Sequence, residues 1–358
     1  MTTIQEQIEA VEKEIRETPY HKATEHHIGM LRAKIARLKD RLIESSSKKG
    51  GGKGGYAVKK QGDATVVLVG PPSVGKSTLI NKLTNAKSKV APYAFTTVSV
   101  IPGMMEYKNS RIQVLDVPGL IEGAEEGKGR GKEVLSVVRG TNLLIIIVDP
   151  KRVSLIGNIK DALERNGIRI DKKPPNVVVE KTLKGGITVH SNIKQDISKE
   201  TIKELAMQFG IRNGEITIKE KVNLDDLIDV FSRSRVYIPS ISVINKVDLP
   251  EYSKPKDVGI LIEISALNNE NLDKLKEEIW KKLEFVRVYL VRRDEEPSEN
   301  NPLIAGKETT LKQVAEKIGE EFSLDKNRAK IWGPGSKFPG QEVSLEKEVE
   351  EGMQVRFI

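Results

Sequence analysis

The segment Gly70-Pro71-Pro72-Ser73-Val74-Gly75-Lys76-Ser77-Thr78 constrains the fold more than any other part of this chain. The apolar run Thr65-Val66-Val67-Leu68-Val69 precedes it and has the length of a buried strand. Ser77-Thr78-Leu79-Ile80-Asn81-Lys82-Leu83 follows and reads as a helix. Strand, glycine loop and helix in that order aim backbone N–H groups and the positive end of a helix at a single point, where a phosphate chain can be held. Gly-Lys-Ser arises often by chance, but seldom between such flanks. Pro72, Ser73, Val74, Gly75, Lys76, Ser77 and Thr78 are therefore candidates for binding a nucleoside triphosphate. Lys76 would reach the β- and γ-phosphates, and the Ser77 hydroxyl would bind Mg²⁺.

The base is addressed much further along, by Asn245-Lys246-Val247-Asp248 at the end of the apolar run Ile241-Ser242-Val243-Ile244. A carboxylate at Asp248 can accept from both N1–H and the 2-amino group of guanine, and adenine offers no such pair of donors. Asn245 would tie the base loop to the phosphate loop, and the Lys246 stem would cover one face of the base. A further apolar run, Gly259 to Ile264, delivers Ser265-Ala266-Leu267, where a backbone N–H can meet guanine O6. The tetrapeptide alone is weak; behind a phosphate loop and ahead of Ser-Ala it points to guanine.

Two segments lie between these ends. Arg111-Ile112-Gln113-Val114-Leu115 reads as a strand ending in Asp116-Val117-Pro118-Gly119. Asp116 is placed to hold Mg²⁺, and the Gly119 N–H to sense the γ-phosphate. In Tyr93-Ala94-Phe95-Thr96-Thr97 one threonine should complete the metal shell, with Thr97 favoured over Thr96. Loops of this kind are ordered by a γ-phosphate and released on hydrolysis. The metal set is then Ser77, Thr97 and Asp116, and the catalytic set Lys76, Thr97 and Gly119.

The quoted residues carry a resemblance. The loop Gly70–Ser77, Phe95-Thr96-Thr97, and Asp116 to Ala124 with the glycines 127, 129 and 131 resemble the Obg and HflX branch of translation-associated GTPases. Within it the whole chain is most similar to the developmentally regulated GTP-binding family in its archaeal form. That resemblance implies slow GTP hydrolysis coupled to ribosome association. One position departs from the wider GTPase pattern: Leu120 stands where a Ras-like enzyme carries the glutamine that orients water. Water must then be held by backbone, another side chain, a monovalent cation or a partner. Ser73 stands where potassium-dependent relatives often carry asparagine, so K⁺ stays a candidate cofactor. The other reading of the whole is an interaction scaffold whose hydrolysis is incidental.

Composition bounds the remainder. The 358 residues suffice for several domains. With no cysteine, disulfides and thiolate chemistry are excluded, and four scattered histidines make no metal site. No apolar stretch has the length of a membrane span and no signal peptide opens the chain, so a cytoplasmic protein is expected, with no membrane partner and no evident DNA specificity. Ile4, Ile8, Val11 and Ile15, then Ile28, Leu31, Ile35, Leu38 and Leu42, form apolar seams on two helices broken at Thr18-Pro19. These fit an antiparallel hairpin. Up to Lys60 there are 13 Lys/Arg against 8 Asp/Glu within a net charge of +8. The glycine-rich stretch that ends this region is a flexible basic joint, an RNA-backbone contact or a solvated linker.

The expected fold class is α/β: a doubly wound P-loop GTPase core with a helical hairpin (1–47), a basic Gly/Lys linker (48–62), an inserted α+β module (172–232) and a C-terminal domain (285–358). The core occupies 63–171 and 233–284. Within the module, Asn176–Glu180 and Gly186–His190 flank Lys184-Gly185-Gly186 and predict a β-hairpin. The C-terminal pattern of strand, helix and returning strands is that of a β-grasp sheet and resembles the TGS domain shared with threonyl-tRNA synthetases. Expected partners are a guanine nucleotide, the ribosome or RNA, and a protein activator.

Overall fold

The computed structural model describes residues 3–19, 21, 24–48, 62–84, 91–92, 99–117, 130–249, 261–300 and 302–358. Phe95, Thr96, Thr97, Gly119, Leu120 and most of the basic linker lie outside the described residues. The chain divides into two compact units.

The larger unit is built on strands with the near-continuous apolar sequence of a sheet covered on both faces. β1 (Ala64–Val69) and β5 (Leu143–Val148) are buried along their whole length. β2 (Ala91–Pro92), β3 (Ser99–Tyr107), β4 (Ser110–Asp116), β11 (Ser240–Ile244) and β12 (Leu261–Glu263) complete a seven-stranded sheet, in the order β12-β11-β5-β1-β4-β3-β2. The first five are parallel, and β3 and β2 add an antiparallel edge. Strand order reverses at β1, so the loops leaving the carboxyl ends of β1, β4, β11 and β12 converge on one crevice. Helix Lys76–Thr84 buries Leu79, Ile80 and Leu83 against this sheet.

The same unit carries a second sheet, of β13 (Phe285–Leu290), β14 (Pro302–Gly306), β15 (Arg328–Trp332), β16 (Gln341–Ser344) and β17 (Gln354–Phe357), ordered β14-β13-β17-β15-β16. Helix Leu311–Ile318, started by a Thr310/Gln313 capping box, packs Leu311, Val314 and Ala315 into its core. The pattern of strand, helix and returning strands corresponds to β13, the helix, β15 and β17; β14, which opens on Pro302 and does not alternate, and β16, with Val343 as its one apolar residue, leave no such signal.

The smaller unit joins the N-terminal helices to residues 161–238. α1 (Ile4–Glu17) and α2 (Glu25–Lys48) pair through Ile8, Val11, Ile28, Leu31 and Leu38, all buried, with His27 on Glu14 at 3.1 Å. The other face of α2 is also covered. Ala33 and Ala36 enter the core formed by helices Lys199–Gln208 and Leu224–Phe231. A Cβ on Gly29 would lie 2.7 Å from Leu224 Cδ1, so small residues at 29, 33 and 36 let these helices approach closely. Asp40 accepts from the hydroxyls of Ser232 and Ser234.

Two expectations are corrected here. Strands β7 (Val177–Lys181) and β8 (Ile187–Ser191) form, but they do not pair with each other. β9 (Gly214–Ile218) lies between them, antiparallel to β7 and parallel to β8. Asn213 fixes the connecting loop by accepting from Gly186 N and donating to Leu183 O, which carries the chain past β9 instead of turning it back. Secondly, β6 (Ile168–Ile170) and β10 (Val236–Ile238), both within the ranges given above for the GTPase core, pair with each other inside the smaller unit.

Beneath this pairing, Asp229 accepts from Arg169 at 2.5 and 2.7 Å and from Arg235 at 2.7 Å, with all three side chains at most 16% exposed. Removing the shared anion strands two buried cations. Asp229→Ala is expected to lower the stability of this unit by about 3–5 kcal/mol in urea denaturation.

Among the described residues no helix is long and apolar enough to cross a membrane.

Candidate functional site

The loop Gly70–Gly75 leaves β1 under tight steric limits. A Cβ on Gly70 would lie 2.0 Å from the Ile147 carbonyl oxygen of neighbouring β5, so only glycine fits. Gly75 has φ +95°, and a Cβ there would meet Asn245 Nδ2 at 2.4 Å. Ser73 also takes positive φ, at 61°, a strained backbone for a residue with a side chain. Pro72, Ser73, Ser77 and Thr78 are exposed at the mouth, whereas Val74 and Lys76 are buried. Lys76 Nζ donates to the carbonyls of Gly70 and Pro71 at 3.0 and 3.1 Å, so its ammonium lies inside the curve of its own loop.

Asp116, the last residue of β4, arrives opposite the helix start, where Ser77 Oγ donates to its Oδ2 at 3.1 Å. Asp116 Oδ1 is buried with no partner among the described residues. Desolvation raises the Asp116 carboxyl above its ordinary pKa, against the opposing pull of Lys76 and the Ser77 hydrogen bond. A buried hard oxygen without a donor, beside a hydroxyl, is the donor set that Mg²⁺ takes.

The second cluster comes from β11 and β12. Asn245 is 2% exposed and uses both ends of its amide. Nδ2 donates to Val74 O at 2.8 Å, and Oδ1 accepts from Ala266 N at 2.9 Å. Lys246, at φ 67°, donates Nζ to Ser73 O at 2.6 Å. Ser265 is fully buried, and its hydroxyl accepts from Asn268 N at 3.1 Å. Leu267 is 70% exposed at the rim. Asp248 is half-buried, and its Oδ1 has no partner among the described residues. The structure thus brings together residues 72–78, Asp116, 245–248 and 265–267.

Sequence reasoning missed a further pair. Arg152 donates to Asp149 Oδ2 from Nε and Nη2, at 3.0 and 2.5 Å, and from Nη1 to Pro72 O at 3.1 Å. The available signal was an acid at the end of a buried strand with a base three residues on.

Known proteins are similar in sequence to this chain over nearly its whole length. A family model described as 50S ribosome-binding GTPase matches residues 65–181, and one for the C-terminal region of that domain matches 184–285. An uncharacterized GTP-binding protein of Methanocaldococcus jannaschii is 44% identical, over 98% of this chain and 91% of its own length. Developmentally-regulated G-protein 3 of Arabidopsis thaliana is 38% identical, over 100% and 99%. The chain belongs to the developmentally regulated GTP-binding protein family. Ribosome-interacting GTPase 1 of Saccharomyces cerevisiae, a further relative, is 38% identical over 98% of both chains. The residues matched by the GTPase family description include the loop Gly70–Gly75, Lys76, Ser77 and Asp116.

Burial of Asp116 yields a prediction. Because its folded-state pKa is raised, the native state binds more protons than the unfolded state near that pKa, and stability falls as pH rises through it. Asp116→Asn keeps an acceptor for Ser77 and removes the buried charge. The variant should melt at higher temperature than the parent in metal-free neutral buffer, with the difference shrinking in mild acid.

Proposed function

We propose that this chain binds GTP and GDP and hydrolyses GTP slowly, as a nucleotide-dependent switch that acts on the ribosome or its RNA. The observation that carries the nucleotide reading is the Asn245 amide, bonded at one end to the loop after β1 and at the other to the loop after β12. It sets the Asp248 carboxylate, whose buried Oδ1 has no partner among the described residues, in the same crevice as a loop rich in backbone N–H groups.

In this reading the amides of residues 73–78 and the start of helix Lys76–Thr84 hold the phosphates, and Lys76 leaves its own carbonyls to meet the β- and γ-oxygens. Ser77 and Asp116, with Thr97, would hold Mg²⁺, which when bound neutralises charge on the transferring phosphoryl group. Asp248 accepts from the guanine edge, the Lys246 stem covers a face of the base, and residues 265–267 close over O6. Gly119 offers its N–H to the γ-phosphate, and Phe95 and Thr96 belong to the loop that Thr97 anchors. With Leu120 in the water-orienting position, hydrolysis by the protein alone is slow, and stimulation comes from K⁺ near Ser73 or from a partner.

The ribosomal reading is supported by the matching family description and by the name of the yeast relative. A cytoplasmic location follows from it. The sheet β13–β17 with helices Leu311–Ile318 and Glu320–Leu324 is read as a TGS-like β-grasp domain that serves binding.

Two measurements test the nucleotide reading. Asp248→Asn places a donor against the guanine edge, so GTP preference over ATP in a competition assay should fall by a few kcal/mol, about 2–3; unchanged preference contradicts the assignment. Lys76→Ala should abolish single-turnover hydrolysis while the far-ultraviolet circular dichroism stays as in the parent.

A further inference from the structure

Three successive carbonyls of the loop after β1 are each held from outside. Pro72 O accepts from Arg152, Ser73 O from Lys246 and Val74 O from Asn245, at 3.1, 2.6 and 2.8 Å. A trans peptide sets its C=O and the following N–H on opposite sides, and no cis bond occurs among the described residues. Holding these carbonyls outward therefore turns the amides of Ser73, Val74 and Gly75 the other way. Two of the ties come from the Asn-Lys-x-Asp segment. The third comes from a residue that no motif names.

Arg152 is built to hold its carbonyl. Asp149 follows β5, which pairs with β1, and its side chain is 12% exposed. A single 3₁₀ turn, Pro150–Arg152, closes with Arg152 N on Asp149 O at 3.0 Å, and Pro150 fixes the backbone at its start. The guanidinium then spends Nε and Nη2 on the Asp149 carboxylate and points Nη1 at Pro72. The hydrogen bond from Arg152, with smaller contributions that include Lys246, holds Asp149 below its ordinary carboxylate pKa and keeps the pair charged. Asp149 thus seats the guanidinium that holds one of two adjacent carbonyls and feels the charge of the lysine that holds the other.

We propose that Arg152, seated on Asp149, is a positioning residue of the nucleotide site that orients the Ser73 N–H toward the phosphate chain by holding the Pro72 carbonyl. The proposal rests on reading this crevice as a guanine-nucleotide site. It concerns the phosphates alone, because Arg152 touches neither residues 245–248 nor residues 265–267 in the hydrogen bonds it makes.

The test measures release of a fluorescent GDP analogue from the full-length protein, and the preference for GDP over IDP, in which the base lacks its 2-amino group. Arg152→Ala should release GDP about tenfold faster, the cost of losing one charged hydrogen bond. Arg152→Lys should recover part of this, since an ammonium reaches Asp149 or Pro72 but lacks the planar fork that holds both. The GDP/IDP preference should stay at the parental ratio. Parental release rates in Arg152→Ala would overturn the proposal. So would loss of GDP/IDP preference in step with faster release, which marks general loosening of the site. If Arg152→Ala does not fold, Asp149→Asn gives the same readout with a smaller shift, and unchanged release there overturns it too. Failure of the parent protein to bind GDP would instead overturn the nucleotide reading itself.

Discussion

The Asn245 side chain is the interaction on which the site depends. It joins three loops at once: its own, the loop after β1 and the loop after β12. These loops are separated by up to 192 residues in the chain, from Val74 to Ala266, yet one buried amide sets their spacing. An amide suits this task because it donates at one end and accepts at the other. Neither aspartate nor leucine at this position could satisfy both a carbonyl and an N–H. The absence of space beside it is part of the design, since Gly75 must lack a Cβ for Asn245 Nδ2 to come near.

Around this tie the protein accepts local costs that a purely structural crevice would avoid. Ser73 and Lys246 both sit at positive φ, and Asp116, Asp149 and Asp248 each keep one buried oxygen without a partner among the described residues. Each such group is destabilising in isolation. Their concentration at the carboxyl ends of β1, β4, β5 and β11 accords with ligand binding where strand order reverses. The raised Asp116 pKa is the same cost expressed as protonation.

Much of the sheet was legible because parallel strands buried on both faces write themselves as unbroken apolar runs, as in Leu143–Val148. The converging loops were legible because close packing there demands particular residue types, glycine at 70 and 75 and an amide at 245. Other features were hidden for physical reasons. The spacing of Gly29, Ala33 and Ala36 on α2 is quiet in a search for large apolar residues, yet it makes the close packing against Leu224 feasible. The turn at Lys184-Gly185-Gly186 has hairpin chemistry, but strand pairing was decided by β9, more than twenty residues on. Arg152 was invisible because its role depends on a carbonyl 80 residues away. Contacts set by tertiary distance leave no local periodicity to read.

The central claim is that one buried amide assembles a guanine-nucleotide site from separate loops. Calorimetric titration of GDP into the parent protein and into Asn245→Ala tests it most directly. The account predicts that the parent binds GDP and that the variant, with its sheet intact by circular dichroism, binds at least about a hundredfold more weakly, because a buried carbonyl and a buried N–H both lose their partner. Equal affinity in the two proteins would contradict it.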